Sequence, residues 1–159
     1  MKVELTQIDG MKFEATTARS VKFAIDPQAI SPQEYFALGA IACSATDIVM
    51  LPEKQGKTVS RVAIGGDFTR TETAPFYFNE IHISYSFDSN GSDLDARRWV
   101  LSSLESYCTT LNTLRGTAKI YYSITHNGEP IADRESILSG SSDTRGVAAA
   151  DLGNNACPA

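Results

Sequence analysis

Cys43 and Asp47 stand four residues apart in the stretch GAIACSATDIV (39–49), a spacing that puts both on one face of a helix. A cysteine becomes a nucleophile or a redox group once ionised, and a carboxylate beside it raises the thiol pKa and opposes that step. Asp47 therefore calls for a basic partner such as Arg19 or Lys12, or for backbone hydrogen bonds, and a purely structural role suits it equally well. The competing reading of Cys43 is packing, because a free cysteine is among the most often buried side chains. Cys108 lies in WVLSSLESYCTTLNTLRG (99–116) and Cys157 near the C-terminal end. Three cysteines so far apart in sequence form neither a disulfide scaffold nor the close pairs of a zinc ribbon. His82 falls on the polar face of a strand and His126 near a strand end, neither arranged as a ligand or a base, so no metal site is expected. Tyr107 and Trp99 read as packing residues, and Cys157 as an exposed bystander thiol. The sequence has no Gly-rich phosphate loop, nucleophile elbow or paired-carboxylate motif.

The elements that must position the two cysteines follow from hydrophobic periodicity. Residues 1–26 read as a hairpin and a third strand, split by the turn Asp9-Gly10 and by polar residues 16–20. Ser31-Pro32-Gln33-Glu34 is a helix start: Ser31 caps free amides, Pro32 suits the first helical position and Glu34 reaches back to the Ser31 amide. The helix that follows, 35–51, is apolar around most of its circumference until Asp47, and Pro52 is expected to end or kink it. Strands are expected over 58–69 and 76–87, the second with Tyr77, Ile81, Ile83, Tyr85 and Phe87 on one face. The turn at 90–93 leads to a second helix reaching about Arg115, with Val100, Leu104, Tyr107, Cys108, Leu111 and Leu114 as its inward stripe and Gly116 as its stop. A strand over 118–125 closes the order. The fold class is therefore α+β with a mainly antiparallel sheet, in one domain over 1–127, and 128–159 is expected as a C-terminal tail outside the core.

Bulk properties exclude some functions. The chain has 159 residues, 42% of them hydrophobic and 21% charged, which suffices for one domain with its own core. A formal net charge of −5, with 14 Lys and Arg scattered singly, disfavours nucleic acid as a partner. The opening MKVELTQIDG has neither the basic cap nor the apolar run of a signal peptide, and no segment approaches the roughly 18 consecutive apolar residues of a bilayer span. A cytoplasmic protein with no membrane partner is the expectation.

SPQEYFALGAIACSATDIV (31–49) resembles the buried-helix motif of the OsmC and Ohr superfamily, in which a proline-led helix start precedes a cysteine by about three turns. WVLSSLESYCTTLNTLRG, placed after a strand pair, is similar to that superfamily's second cysteine helix. The combination of CSATDIV with ESYC looks most like a less studied OsmC-like branch, and the resemblance covers about residues 1–127. It implies an intertwined homodimer whose cysteine helices pack between curved sheets, with two sites at the subunit interface. It also implies a thiol peroxidase that reduces organic hydroperoxides in oxidative-stress defence, uses an external dithiol or lipoyl-type reductant and needs no bound cofactor. By motif, Cys43 would be the peroxidatic and Cys108 the resolving cysteine, joined transiently as a disulfide.

Two departures from the family pattern bear on that expectation. Active members hold an activating arginine near the first hairpin with a glutamate directly after the helix-opening proline, and Gln33 stands there instead. By position the arginine's counterpart is Lys12, Met11 or Arg19. The alternative is accordingly a dimer of the same fold that binds a small apolar or thiol-reactive ligand between subunits without peroxidase chemistry.

Overall fold

The computed structural model describes residues 1–137 of the chain. They divide into two compact units, with the boundary between Leu38 and Gly39.

The first unit is an antiparallel sheet of β1 (Glu4–Asp9), β2 (Lys12–Thr16) and β3 (Lys22–Ile25), in that order. Gly10 turns the first hairpin at φ 53°, a conformation glycine adopts without steric cost. Leu5, Ala15 and Phe23 align across the three strands, and so do Gln7, Phe13 and Ile25. Side chains alternate along a strand, so this row is one largely apolar face, while Glu14 and Lys22 form an ion pair at 2.8 Å on the other. Within residues 1–38 only Ala15 is buried.

Helix α1 (Pro32–Lys54) begins as its sequence requires. The Ser31 amide donates to Glu34 Oε2 at 2.8 Å and the Glu34 amide to Ser31 Oγ at 3.2 Å, which completes the capping box. Pro52 does not end the helix: it continues to Lys54 and stops at Gly56, whose φ of 67° lets the Lys57 amide turn back to the Pro52 carbonyl. By length and composition α1 is apolar enough to cross a bilayer, yet Ala40, Ser44, Asp47, Ile48 and Leu51 are buried in the second unit.

That unit is a four-stranded sheet of β4 (Val59–Arg70), β5 (Phe78–Ser89), β6 (Lys119–His126) and β7 (Glu129–Ser136) in sequence order. Ile81, Ile83, Tyr85 and Phe87 of β5 are buried as their alternation predicts, whereas Tyr77 lies before the strand and is exposed. Gly66 of β4 admits α1 closely, since a Cβ there would stand 3.0 Å from Ile41. β5 and β6 run parallel because the chain crosses over between them through the helical segment; the other pairs are antiparallel.

Two expectations about this unit change. The helix expected from 93 to about 115 is broken into α2 (Asp93–Ser102), a π-helical turn (Ser103–Tyr107) and α3 (Thr109–Leu114). Residues 129–136, expected in a tail, form β7 against β6, with Ala132 and Ile137 in the core. Cys157 and the rest of the expected tail lie outside the described residues.

Candidate active site

On α1, Ala40, Cys43, Ser44 and Asp47 recur at helical spacing and form a stripe of mostly small side chains facing the segment 103–110. Cys108 lies against the upper part of that stripe and Ser103 against the lower. In a regular helix the Cys108 amide would bond the Leu104 carbonyl; here it bonds the Ser103 carbonyl at 2.9 Å. Cys108 then takes an extended conformation, φ −70° and ψ 96°, and α3 restarts at Thr109.

The π turn brings the two cysteines together. Both are free, Cys43 half-buried and Cys108 fully buried, and each thiol influences the ionisation of the other. Burial pushes the Cys108 thiol up to about 12, so it stays protonated at neutral pH. Its sulfur lies 3.8 Å from the Ala40 carbonyl and 3.2 Å from Thr110 Oγ1.

Partial burial opposes the Cys43 thiolate, but donors outweigh it and hold the thiol below the ordinary cysteine value. These donors are the Cys108 S–H, the Thr110 backbone amide and the Thr110 hydroxyl. Thr110 sits in the first turn of α3, where amides have no partner inside the helix, so its N–H is free to donate to sulfur. The charge of Asp47 works the other way, as its position predicts. Hence Cys43 is the thiol of the pair that ionises more readily, and Cys108 is the one that stays protonated.

Asp47 finds a partner in Ser103, whose hydroxyl donates to Oδ2 at 2.7 Å. Lys12 pairs with Asp26 at 3.3 Å. Burial still raises the Asp47 pKa, against the Ser103 hydrogen bond and the charge of Lys54. Arg19 and Gln33 are exposed, and Glu34 is engaged in the capping box. Trp99 is fully buried, its indole N–H donating to Gln55, and Tyr107 closes the π turn half-buried. His126 is buried between Ser89 Oγ at 2.8 Å and Asp93 Oδ1 at 2.6 Å, a clasp joining the ends of β5 and β6 to the start of α2. No group of three metal-ligating side chains occurs among the described residues.

Thr110, Ser103, Ser44 and Tyr85 are the site residues the sequence reading missed. Ser44 was findable from the stripe spacing. Thr110 and Ser103 were not, because a continuous helix over 93–115 faces them differently.

The family model for OsmC-like protein matches residues 25–123, a span that includes both cysteines. The chain belongs to the OsmC-like family. Protein YhfA of Escherichia coli K12 is 30% identical to this OsmC-like chain over 139 residues, covering 83% of it and 99% of YhfA. The OsmC-like fold recurs in the crystal structure of an OsmC-like protein from Mycoplasma pneumoniae, with a TM-score of 0.68 at 15% identity over 79% of this chain and 95% of that one. It recurs too in the organic hydroperoxide resistance protein OhrB of Bacillus subtilis, with a TM-score of 0.54 at 17% identity over 79% and 98%.

Proposed function

We propose that this OsmC-like chain is a thiol-dependent peroxidase acting on organic hydroperoxides, with Cys43 as the attacking and Cys108 as the resolving cysteine. The observation that supports it is the asymmetry of the pair: two adjacent free thiols, one held below and the other well above the ordinary cysteine value. Cys43 as thiolate attacks the distal peroxide oxygen. The O–O bond breaks, the alkoxide leaves and takes a proton to become the alcohol, and Cys43 becomes a sulfenic acid. The Cys108 sulfur, losing its proton, then displaces hydroxide from Cys43, which forms the disulfide and releases water. An external dithiol, of the lipoyl type by family resemblance, restores both thiols and is itself oxidised. The same reading makes the working unit a homodimer in the cytoplasm.

Anaerobic stopped-flow oxidation with cumene hydroperoxide tests this. Wild type is expected to consume one equivalent and lose two thiols. Cys108→Ser should stop at a sulfenic acid that dimedone traps, and Cys43→Ser should react no faster than free cysteine. A wild-type rate equal to that of Cys43→Ser overturns the proposal. Gln33, neutral where active relatives carry a carboxylate, favours a second reading in which the site binds a thiol-reactive ligand without turnover. Cysteines left unoxidised by the hydroperoxide would select it.

A further inference from the structure

Four side chains beside the cysteine pair play no part in the peroxide chemistry just described. Ser44 and Ser103 are fully buried, and Tyr85 and Asp47 are 2% and 3% exposed. Their hydrogen bonds run in one direction. Ser103 Oγ–H donates to Asp47 Oδ2 at 2.7 Å, so its oxygen accepts from Ser44 at 2.9 Å; Ser44, its one proton used, accepts from Tyr85 Oη–H at 2.7 Å. Three hydroxyls from the β5 strand, α1 and the π turn thus point their protons toward one carboxylate.

Ser103 has a second role through its backbone. It is the first residue of the π turn, and its carbonyl accepts the Cys108 amide at 2.9 Å. One residue therefore ties α1, through Asp47, to the turn that ends at Cys108. If the turn relaxed to a regular helix, Cys108 would rotate by about 100° about the axis, one residue's worth, and its sulfur would leave Cys43. A disulfide tolerates little of this, since it needs Cα atoms about 4.4–6.8 Å apart with Cβ vectors converging.

We infer that Asp47 is a positioning residue for the Cys43–Cys108 pair: by accepting the Ser103 hydroxyl it holds the π turn that sets Cys108 against Cys43. This rests on the redox reading of the pair but not on peroxide as the oxidant, so its test uses none. In the Cys157→Ser background the full chain is equilibrated at pH 7 with mixtures of reduced and oxidised dithiothreitol. The two thiols give up two electrons and two protons to the cyclic disulfide of the reagent, which becomes the dithiol; the protein disulfide is counted by alkylation and mass.

Asp47→Leu and Ser103→Ala should each lower the disulfide-to-dithiol constant at least tenfold, which is about 30 mV for this two-electron couple. Asp47→Asn removes the same charge as Asp47→Leu but keeps an acceptor for Ser103, and should stay within threefold of wild type. Equal shifts for Asn and Leu would mean that charge alone matters, and an unchanged constant for Ser103→Ala would mean that the turn needs no anchor. Either result overturns the inference. If Asp47→Leu fails to fold, the contrast between Ser103→Ala and Asp47→Asn decides. A wild type that forms the disulfide with dithiothreitol yet ignores hydroperoxide would end the peroxidase proposal alone.

Discussion

At Cys43 the sequence directs attention to a cation, yet the groups that favour its thiolate are neutral donors, with Thr110 supplying two of the three. Hydrogen bonds to an ionised acceptor contribute about 1.5–3 kcal/mol each, enough to offset partial burial and a carboxylate one turn away. Cys43's folded pKa is lowered, so its reactivity persists as pH falls below the ordinary cysteine range and is lost as pH falls through its own pKa. Thr110→Val removes the hydroxyl and keeps the amide. The pH profile of Cys43 alkylation by iodoacetamide should then move to higher pH, with the rate at pH 7 dropping about tenfold, a loss equivalent to about 1.4 kcal/mol. Thr110→Ser should restore the wild-type profile, and an unmoved profile for Val would show that the hydroxyl contributes nothing. The cysteines and Asp47 were legible because residue type and helical spacing suffice to identify them. Thr110 was not, since its reach to Cys43 depends on a break in a helix that hydrophobic periodicity draws as continuous.

That break is the least legible element. The inward stripe over 100–114 keeps a helical period, and nothing in its composition marks Ser103–Tyr107 as wider than its neighbours. Strand alternation in β5 and the Ser31 cap were readable because each depends on a few local residues; β7 was not, since its polar sequence becomes a strand by pairing with β6. A π turn also frees a carbonyl. With the Cys108 amide bonded to Ser103, the Leu104 carbonyl accepts from Arg115 Nη2 at 2.8 Å, and Arg115 also pairs with nearly buried Glu105 at 3.3 Å. Arg115 therefore stabilises the turn from outside, as Asp47 does from within. Arg115→Met keeps much of the side chain's bulk but leaves that buried carbonyl without the guanidinium, a cost of about 1–3 kcal/mol. Calorimetry should show the melting temperature falling by several degrees, roughly 2–4 °C per kcal/mol at this size. An unchanged melting temperature would mean that water or another donor serves the carbonyl equally well.

At the scale of the whole molecule, the two compact units differ in how much they bury. Residues 39–137 enclose nearly the whole core, with Trp99, Ile81, Ile83 and Leu104 fully buried. Residues 1–38 bury Ala15 alone, although their sheet presents a largely apolar face: Leu5 is 60% exposed and Phe23 44%. A three-stranded sheet needs its hydrophobic face covered to be stable, and a unit of about 40 residues supplies too little surface of its own. A second copy of the chain, which the OsmC-like resemblance leads one to expect, is the cover we propose. At micromolar concentration the chain should then sediment at twice its 17.2 kDa, with slow amide exchange in β1–β3. Leu5→Glu combined with Phe23→Glu puts two charges into the aligned row on either side of Ala15. That variant should sediment as a monomer and exchange the β1–β3 amides at least tenfold faster, while the core strand β5 stays protected. A wild-type monomer whose β1–β3 amides are already protected would show that the apolar face is covered without a second copy.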